Sequence, residues 1–185
     1  INLETNSIIN PEVTGEVGMG SFNTFKTSYG FTTGLLKDKF SFSSRFSHLT
    51  SDGFRYNSYT KGYTYFGQAG YFTKNNIIKV YGFSGQSSNG MAWLAPTKYD
   101  IDKDYRTNLN TSEEKDKFNQ NFISLNWINF KLNNIKFNSS IYFNNINGNY
   151  TSYIGSPLGS FYLNSYQSGL VYNMIYNKNN LNINT

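Results

Sequence analysis

Apolar and polar positions alternate along most of the chain, and the alternation breaks at regular intervals. Val13, Gly15, Val17 and Met19 stand against Thr14, Glu16 and Gly18, and after Gly20-Ser21-Phe22 a second run sets Phe25, Thr27, Tyr29, Phe31 and Leu35 against Thr24, Lys26, Ser28, Gly30 and Thr32. A third places Phe40, Phe42 and Phe46 opposite Ser41, Ser43, Arg45 and Ser47, and a fourth puts Tyr63, Tyr65, Ala69 and Tyr71 on one face. The fifth, from Ile77 to about Gly85, is mixed, with Ile78 and Val80 on one side and Ile77, Tyr81 and Phe83 on the other. Later runs show Ile123, Leu125 and Trp127 on one parity, then Ile135, Phe137, Ile141 and Phe143, then Tyr166, Leu170, Tyr172, Met174 and Tyr176. A ninth run begins at Leu181. Period-two alternation between Gly, Asn, Asp and Lys punctuation predicts an all-β chain of consecutive antiparallel strands.

The connections predict more than a sheet. Those at 37–39, 74–76, 132–134 and 177–180 are tight, while 50–62, 86–118 and 147–163 are long. In an up-and-down meander every second connection lies on the same rim, so short turns gather at one end and long loops at the other, as in outer-membrane barrels. Runs of 10 or more residues exceed the roughly 5–6 of globular strands and match the roughly 9–11 that a tilted membrane strand needs. A soluble β-sandwich also alternates, but its covered face is mostly Val, Ile and Leu. Here one face is Phe and Tyr, and the other Ser, Thr, Asn, Lys and Gln. The pattern favours an antiparallel, up-and-down transmembrane β-barrel.

Composition agrees. Of 185 residues, 18% are aromatic and only 15% charged, with a mean hydropathy of −0.53, against about 25% charge in ordinary globular chains. No apolar run approaches the length of a membrane helix. The net charge of +5 is scattered, with no basic run of the kind that binds nucleic acid. The absence of Cys excludes disulfides, thiol catalysis and thiolate metal sites. With one His, no phosphate-cradling Gly loop and no placeable carboxylate pair, no catalytic constellation is found, so the expectation is a non-enzyme without cofactor or metal. No initiator Met or signal peptide stands at the start, which reads as the interior of a longer product or the result of processing.

Candidate residues follow from the faces. Lys26, Arg45 and Gln68 fall on the polar parity, where a charge is tolerable in a wet lumen but costs about 2–4 kcal/mol at the lipid midplane. They are expected to line the lumen, with Phe and Tyr outward. His48 continues the outward stripe near the long-loop rim, as an interfacial ring. Asp100-Ile101-Asp102-Lys103-Asp104 imitates a calcium loop, but Tyr105 and Thr111 replace the Gly and Glu that such a loop requires at its sixth and twelfth positions. A solvated acidic loop is the plainer reading. Met91, Trp93, Leu94, Tyr99 and Arg106 give the longest loop an apolar content that either packs it down or meets a ligand. If ligand is touched, Trp93, Tyr99 and Arg106 are the expected contacts. Thr111-Ser112-Glu113-Glu114 has the form of a capping box, and the sequons at Asn110, Asn138 and Asn149 are what so Asn-rich a chain carries by chance.

Several words resemble a known family in order and spacing. Ile1-Asn2-Leu3-Glu4-Thr5, Val13-Thr14-Gly15-Glu16 and Gly20-Ser21-Phe22-Asn23-Thr24 resemble the plug-to-barrel junction of TonB-dependent outer-membrane receptors. Thr33 to Phe40 resembles that family's first periplasmic turn, and Phe46 to Phe54 its third strand entering a loop. Ala69 to Lys74 is similar to its fourth strand and turn, especially in Bacteroidetes-like receptors, and 104–118 to an extracellular loop. The resemblance implies that residues 1–8 end a plug domain and 9–185 form the N-terminal portion of a larger barrel, as eight to nine of its strands. It also implies ligand uptake across the outer membrane (iron chelate, corrinoid or saccharide), with outer-membrane lipid, the plug, the TonB complex and a small-molecule ligand as partners. Two other readings stand beside it: a complete eight-stranded barrel with a structural or adhesive role, and a secreted glycan-binding β-sandwich.

Overall fold

A computed structural model describes residues 8–130, 135–153, 157–178 and 181–184. The plug-strand expectation for 1–5 and the turns expected around Asn133-Asn134 and Asn179-Asn180 lie outside these residues. Nine strands follow one another: β1 Pro11–Gly20, β2 Thr24–Thr33, β3 Phe40–Ser51, β4 Thr60–Phe72, β5 Asn76–Gly90, β6 Lys115–Asn129, β7 Ile135–Ser152, β8 Gly159–Lys178 and β9 Leu181–Asn184. One short helix, α1 (Lys98–Lys103), interrupts the β5–β6 loop.

All nine strands form a single antiparallel sheet in sequence order. Each strand contacts only its neighbours in the chain. Among the described residues there is therefore no second layer, which removes the β-sandwich. Among the described residues no strand pairs with the free edge of β1 either, so the described sheet does not close as an eight-stranded barrel.

Hairpin chemistry fixes the register. Phe22 and Asn23 (φ 60° and 53°) and Lys37 and Asp38 (φ 50° and 54°) are left-handed pairs inside three-residue connections closed by Gly20↔Thr24 and Leu36↔Phe40, and two successive left-handed residues match the twist of the flanking strands. The first turn lies on the same rim as the long loops, so that rim is not uniformly long-looped as the spacing suggested. Strands also run further than the alternation did. β5 continues to Gly90, β6 begins at Lys115, β7 reaches Ser152 and β8 starts at Gly159, shortening the expected 86–118 and 147–163 loops to 91–114 and 153–158. Likewise 50–62 contracts to 52–59. Asn, Gln and Ser on both faces hid the end of β5, and consecutive Phe161-Tyr162-Leu163 hid the start of β8, because neither an all-polar nor an unbroken apolar run has a period to read.

Strand β2 stops earlier than expected, at Thr33, because Gly34 turns left-handed (φ +68°). A Cβ there would lie 2.7 Å from both the nitrogen and Cδ of Pro11. Gly34→Ala is expected to destabilise the first hairpin by at least about 1–2 kcal/mol, the left-handed penalty alone. Urea unfolding in detergent micelles checks this, and an unchanged midpoint would contradict it.

The two faces are distributed as the parity foretold, with one reversal of ordinary practice. On the apolar face a registered row runs Ala69, Val80, Leu125, Ile141, Leu170, and the next Phe31, Ser44, Gly67, Gly82, Ile123, Phe143. These side chains are the exposed ones: Leu125 44%, Ile141 55%, Leu170 72%. The covered ones are polar and lie on the other face, namely Ser28, Ser41, Gln68 and Ser124. Side chains converge on the concave side of a curved sheet and splay on the convex side, so the polar face is concave. Aromatics border the aliphatic rows. Phe40 meets Tyr71, and Trp127 and Tyr172 both meet Phe137, at the short-turn end; Phe46 meets Tyr63, and Phe143 meets Tyr166, toward the other. Six to eight residues separate the two borders on one strand, roughly 20–27 Å at 3.3–3.4 Å per residue.

The polar face is not uniformly polar. Phe66, Phe83 and Phe122 occupy one registered row with Arg45, and Phe122 packs on Phe83, Tyr81 and Tyr142 at 5.4–6.2 Å. The mixed parity of the fifth run was its only trace in the sequence.

Candidate functional site

Two regions concentrate chemistry: the cap formed by the long-loop rim, and the concave polar face.

The cap is built by three connections. The β1–β2 turn joins the β3–β4 loop through the Asp52 N–H donating to Phe22 O (2.8 Å), and through Asn23 Nδ2 donating to Asp52 Oδ2 (2.6 Å). The β5–β6 loop joins both. Arg55 donates to Leu94 O (3.1 Å), Asn57 to Thr111 O (2.6 Å) and Asn108 to Tyr56 O (2.6 Å) and Met91 O (2.8 Å). Arg106 is the centre of this cap. Its Nε donates to Phe54 O (2.8 Å), and its guanidinium lies 5.2 Å from the Phe22 ring and 4.7 Å from the Tyr56 ring.

The three expected ligand contacts therefore do not converge. Arg106 is taken up in loop packing, while Trp93 and Tyr99 stand exposed at 61% and 66%. Tyr99 lies on α1, under the ammonium of Lys103 at 4.1 Å. Tyr105, 66% exposed, adds a ring beside Phe54.

The acidic run does capping work. Thr97 and Asp100 form a reciprocal capping box on α1: Thr97 N–H donates to Asp100 Oδ2 (2.9 Å) and Asp100 N–H to Thr97 Oγ1 (3.3 Å). Asp104 Oδ1 accepts from the Arg106 N–H (2.9 Å). The box expected at Thr111–Glu114 opens no helix. Thr111 N–H still donates to Glu114 Oε2 (2.8 Å), but Glu114 leads into β6. Glu114 instead ties the long loop to the next hairpin, accepting from Ser152 Oγ (2.9 Å) and Tyr153 N–H (3.2 Å) while only 3% exposed.

Burial by itself would raise the Glu114 pKa. The hydrogen bonds from Thr111, Ser152 and Tyr153 outweigh it and hold the carboxyl below its usual value. A depressed folded pKa stabilises above the unfolded value, near 4.3, and the contribution is lost as pH falls through the folded one. Hydrogen exchange at the Thr111 and Tyr153 amides, corrected for intrinsic rates, should stay flat from pH 7 to about 5 and accelerate below about 4. Glu114→Gln should remove that acid step. Acceleration already present at neutral pH in the unsubstituted chain would contradict this.

Lys26, Arg45 and Gln68 share the concave, polar side. A partner that the sequence reading missed joins the two cations: Lys26 Nζ donates to Glu16 Oε1 (2.8 Å), and Arg45 lies 3.8 Å from Glu16 Oε2. Arg45 Nε also donates to Ser28 Oγ (2.8 Å). Had the three-residue connection Ser21-Phe22-Asn23 been recognised as the turn, the register Glu16↔Ser28 and Gly18↔Lys26 would have followed, placing Glu16 diagonally opposite Lys26. His48 lies on the other, apolar face between Thr27 and Tyr63.

At the short-turn rim the chain before β1 touches this same concave face. Ile8, the one buried hydrophobic residue among those described, is 2% exposed; its carbonyl accepts from Ser41 Oγ, and its side chain lies over Gly70.

No family model and no curated protein matches the chain. Solved structures do. The crystal structure of the ferric-catecholate import receptor Fiu from E. coli K12, in its open form, superposes with a TM-score of 0.72 at 9% identity, over 90% of this chain and 31% of that one. Its closed form gives 0.67 at 10% identity, over 91% and 28%. The chain thus spans about a third of the length of the structures it matches. At such identity the likeness is one of fold: this chain has the architecture of a stretch of up-and-down barrel wall.

Proposed function

We propose that the chain is part of the wall of an outer-membrane, TonB-dependent receptor that takes up a ligand from outside the cell. The observation that carries the reading is the inverted sheet. Its apolar side chains, bordered by aromatics, are splayed and exposed, while the strand side chains that are covered, Ser28, Ser41, Gln68 and Ser124, are polar and lie on the concave side. In water this arrangement leaves an apolar surface far larger than the few hundred Å² that soluble monomers expose. In a bilayer it is the expected one, with an apolar band about 25 Å tall between aromatic girdles and a polar interior.

On this reading the concave face is the lumen and Lys26, Arg45 and Gln68 line it. The loops at 52–59, 91–114 and 153–158 are extracellular, and the short turns periplasmic. Ile8, seated on the concave face at the short-turn rim, suits a chain that enters the wall from a plug inside it. The free edge of β1 calls for further strands, because an unpaired edge in lipid leaves backbone groups unsatisfied. Trp93, Tyr99 and Tyr105 are the side chains available to an arriving ligand, and Arg106 holds their loop. The activity is uptake, without catalysis; among ligand classes, the fold likeness to a ferric-catecholate receptor favours an iron chelate over a corrinoid or a saccharide.

Reading the coding sequence on both sides of the segment tests the proposal. A plug-like domain ahead of Ile1 and about a dozen further strands after Thr185 are expected, since plugged transporters have 22 strands. A signal peptide directly before Ile1 and a stop directly after Thr185 would overturn it.

A further inference from the structure

The concave face carries a hollow that neither the ion cluster nor the cap accounts for. Its floor is four neighbouring small positions on β4 and β5, Gly62 opposite Ser87 and Thr64 opposite Gly85. Both glycines are closed to larger residues in place: a Cβ on Gly62 would lie 2.8 Å from Gln86 O, and one on Gly85 2.8 Å from Thr64 Cγ2. Bulky residues surround this floor and leave a cavity of about 540 Å³, within the 300–1,000 Å³ usual for small-molecule sites.

Its walls are chemically specific. Phe83, two residues from Gly85 along β5, and Phe118, opposite Ser87 on β6, both line it. The hydroxyls of Thr64 and Ser87 border the floor and make no hydrogen bond among the described residues. Lys26 lines the side toward β2. Lys26 and Arg45 bring two positive charges against the single carboxylate of Glu16, so this side of the hollow keeps an excess positive charge.

We propose that the hollow is a binding subsite for a six-membered ring that carries an anionic group. The ring packs against Phe83 and Phe118 over the glycine floor, Thr64 and Ser87 hydrogen-bond its rim, and the anion lies toward Lys26. Aromatic acids and sugar acids share this chemistry. The inference takes the concave face as the lumen, where such a site would hold a ligand partway along the wall, below the cap.

The test uses the full chain purified in detergent, with benzoate and glucuronate as probes, benzyl alcohol as the neutral counterpart of benzoate, and saturation-transfer NMR as the readout. At least one of the two anions should bind saturably and weaken several-fold between 50 and 500 mM salt, as exposed charge interactions do; benzyl alcohol should bind more weakly and without salt dependence. Phe118→Ala and Lys26→Gln should each weaken the anion at least threefold, and Ser87→Phe, which fills the hollow, should abolish binding. Leu125→Ala on the opposite face should leave it unchanged, and retained far-UV circular dichroism confirms that the variants fold. Preference for benzoate or glucuronate distinguishes the aromatic from the sugar acid. Binding of neither, or equal binding in Ser87→Phe, overturns the proposal. Because the assay needs no membrane, its failure leaves the lumen assignment standing, and failure of the lumen assignment leaves this result readable.

Discussion

Leu125→Arg is expected to be the most damaging single substitution in the sheet, costing about 2–4 kcal/mol, the range for Arg at the midplane of a barrel's lipid face. Leu125 sits between Val80 and Ile141 in the middle of the aliphatic rows, 44% exposed and with no polar neighbour in its row. In a soluble protein a position so exposed would accept Arg with little effect. The comparison substitution is Gln167→Arg, exposed on the concave face beside Asn144, where about 0–0.5 kcal/mol is expected. Folding into lipid vesicles under a urea series reads both. A large cost at 125 with almost none at 167 is the outcome the account requires, and equal small costs would mean that the convex face meets water.

Arg106→Ala should have the next largest effect, and it should be local. The guanidinium makes one charge-assisted hydrogen bond, to Phe54 O, and lies over two rings from two other connections. Exposed cation–π contacts contribute about 0.5–1 kcal/mol each, and a hydrogen bond to a charged group about 1.5–3 kcal/mol. The three sum to about 2.5–5 kcal/mol. Because the hydrogen bond is exposed, loss of all three should lower the free energy of opening the cap by an amount in the lower part of that range, roughly 2.5–4 kcal/mol. Arg106→Lys should recover little, because an ammonium cannot present a planar face to both rings while also donating along the chain. Hydrogen exchange resolves the effect: the amides of Asp52, Tyr56 and Met91 should exchange faster, with those of β7 and β8 unchanged. Full rescue by Lys would show that charge alone holds the cap.

The sheet was legible in the sequence because most strands, the mixed fifth excepted, keep an apolar–polar period near their middle. Phe40, Phe42 and Phe46 against Ser41, Ser43 and Arg45 fix both the strand and its faces. The strand ends were not legible where both faces are polar, as in Ser84–Gly90, or where apolar residues are isolated, as Ile146 and Tyr150 are in Asn144–Ser152. Hairpin register was missed at Phe22-Asn23, since neither residue announces a left-handed turn as Asn-Gly would. That omission concealed Glu16 as the partner of Lys26. The role of Arg106 was hidden for another reason: its contacts reach Phe22, Phe54 and Tyr56, on two connections far away in sequence. The hollow over Gly62 and Gly85 depends on the β4–β5 register, which places two glycines diagonally, and no single strand records it.

The central claim is that the apolar convex face meets lipid and the polar concave face meets water. The chain has no Cys, so single cysteines report each face directly. Leu125→Cys and Leu170→Cys mark the convex face, and Gln167→Cys and Thr64→Cys the concave one. Each is treated with a water-soluble maleimide in isolated outer membranes, before and after the bilayer is dissolved in denaturing detergent. The account predicts labelling at 64 and 167 in intact membranes, and at 125 and 170 only after denaturation. Labelling of all four in intact membranes, or of 125 and 170 alone, would contradict it.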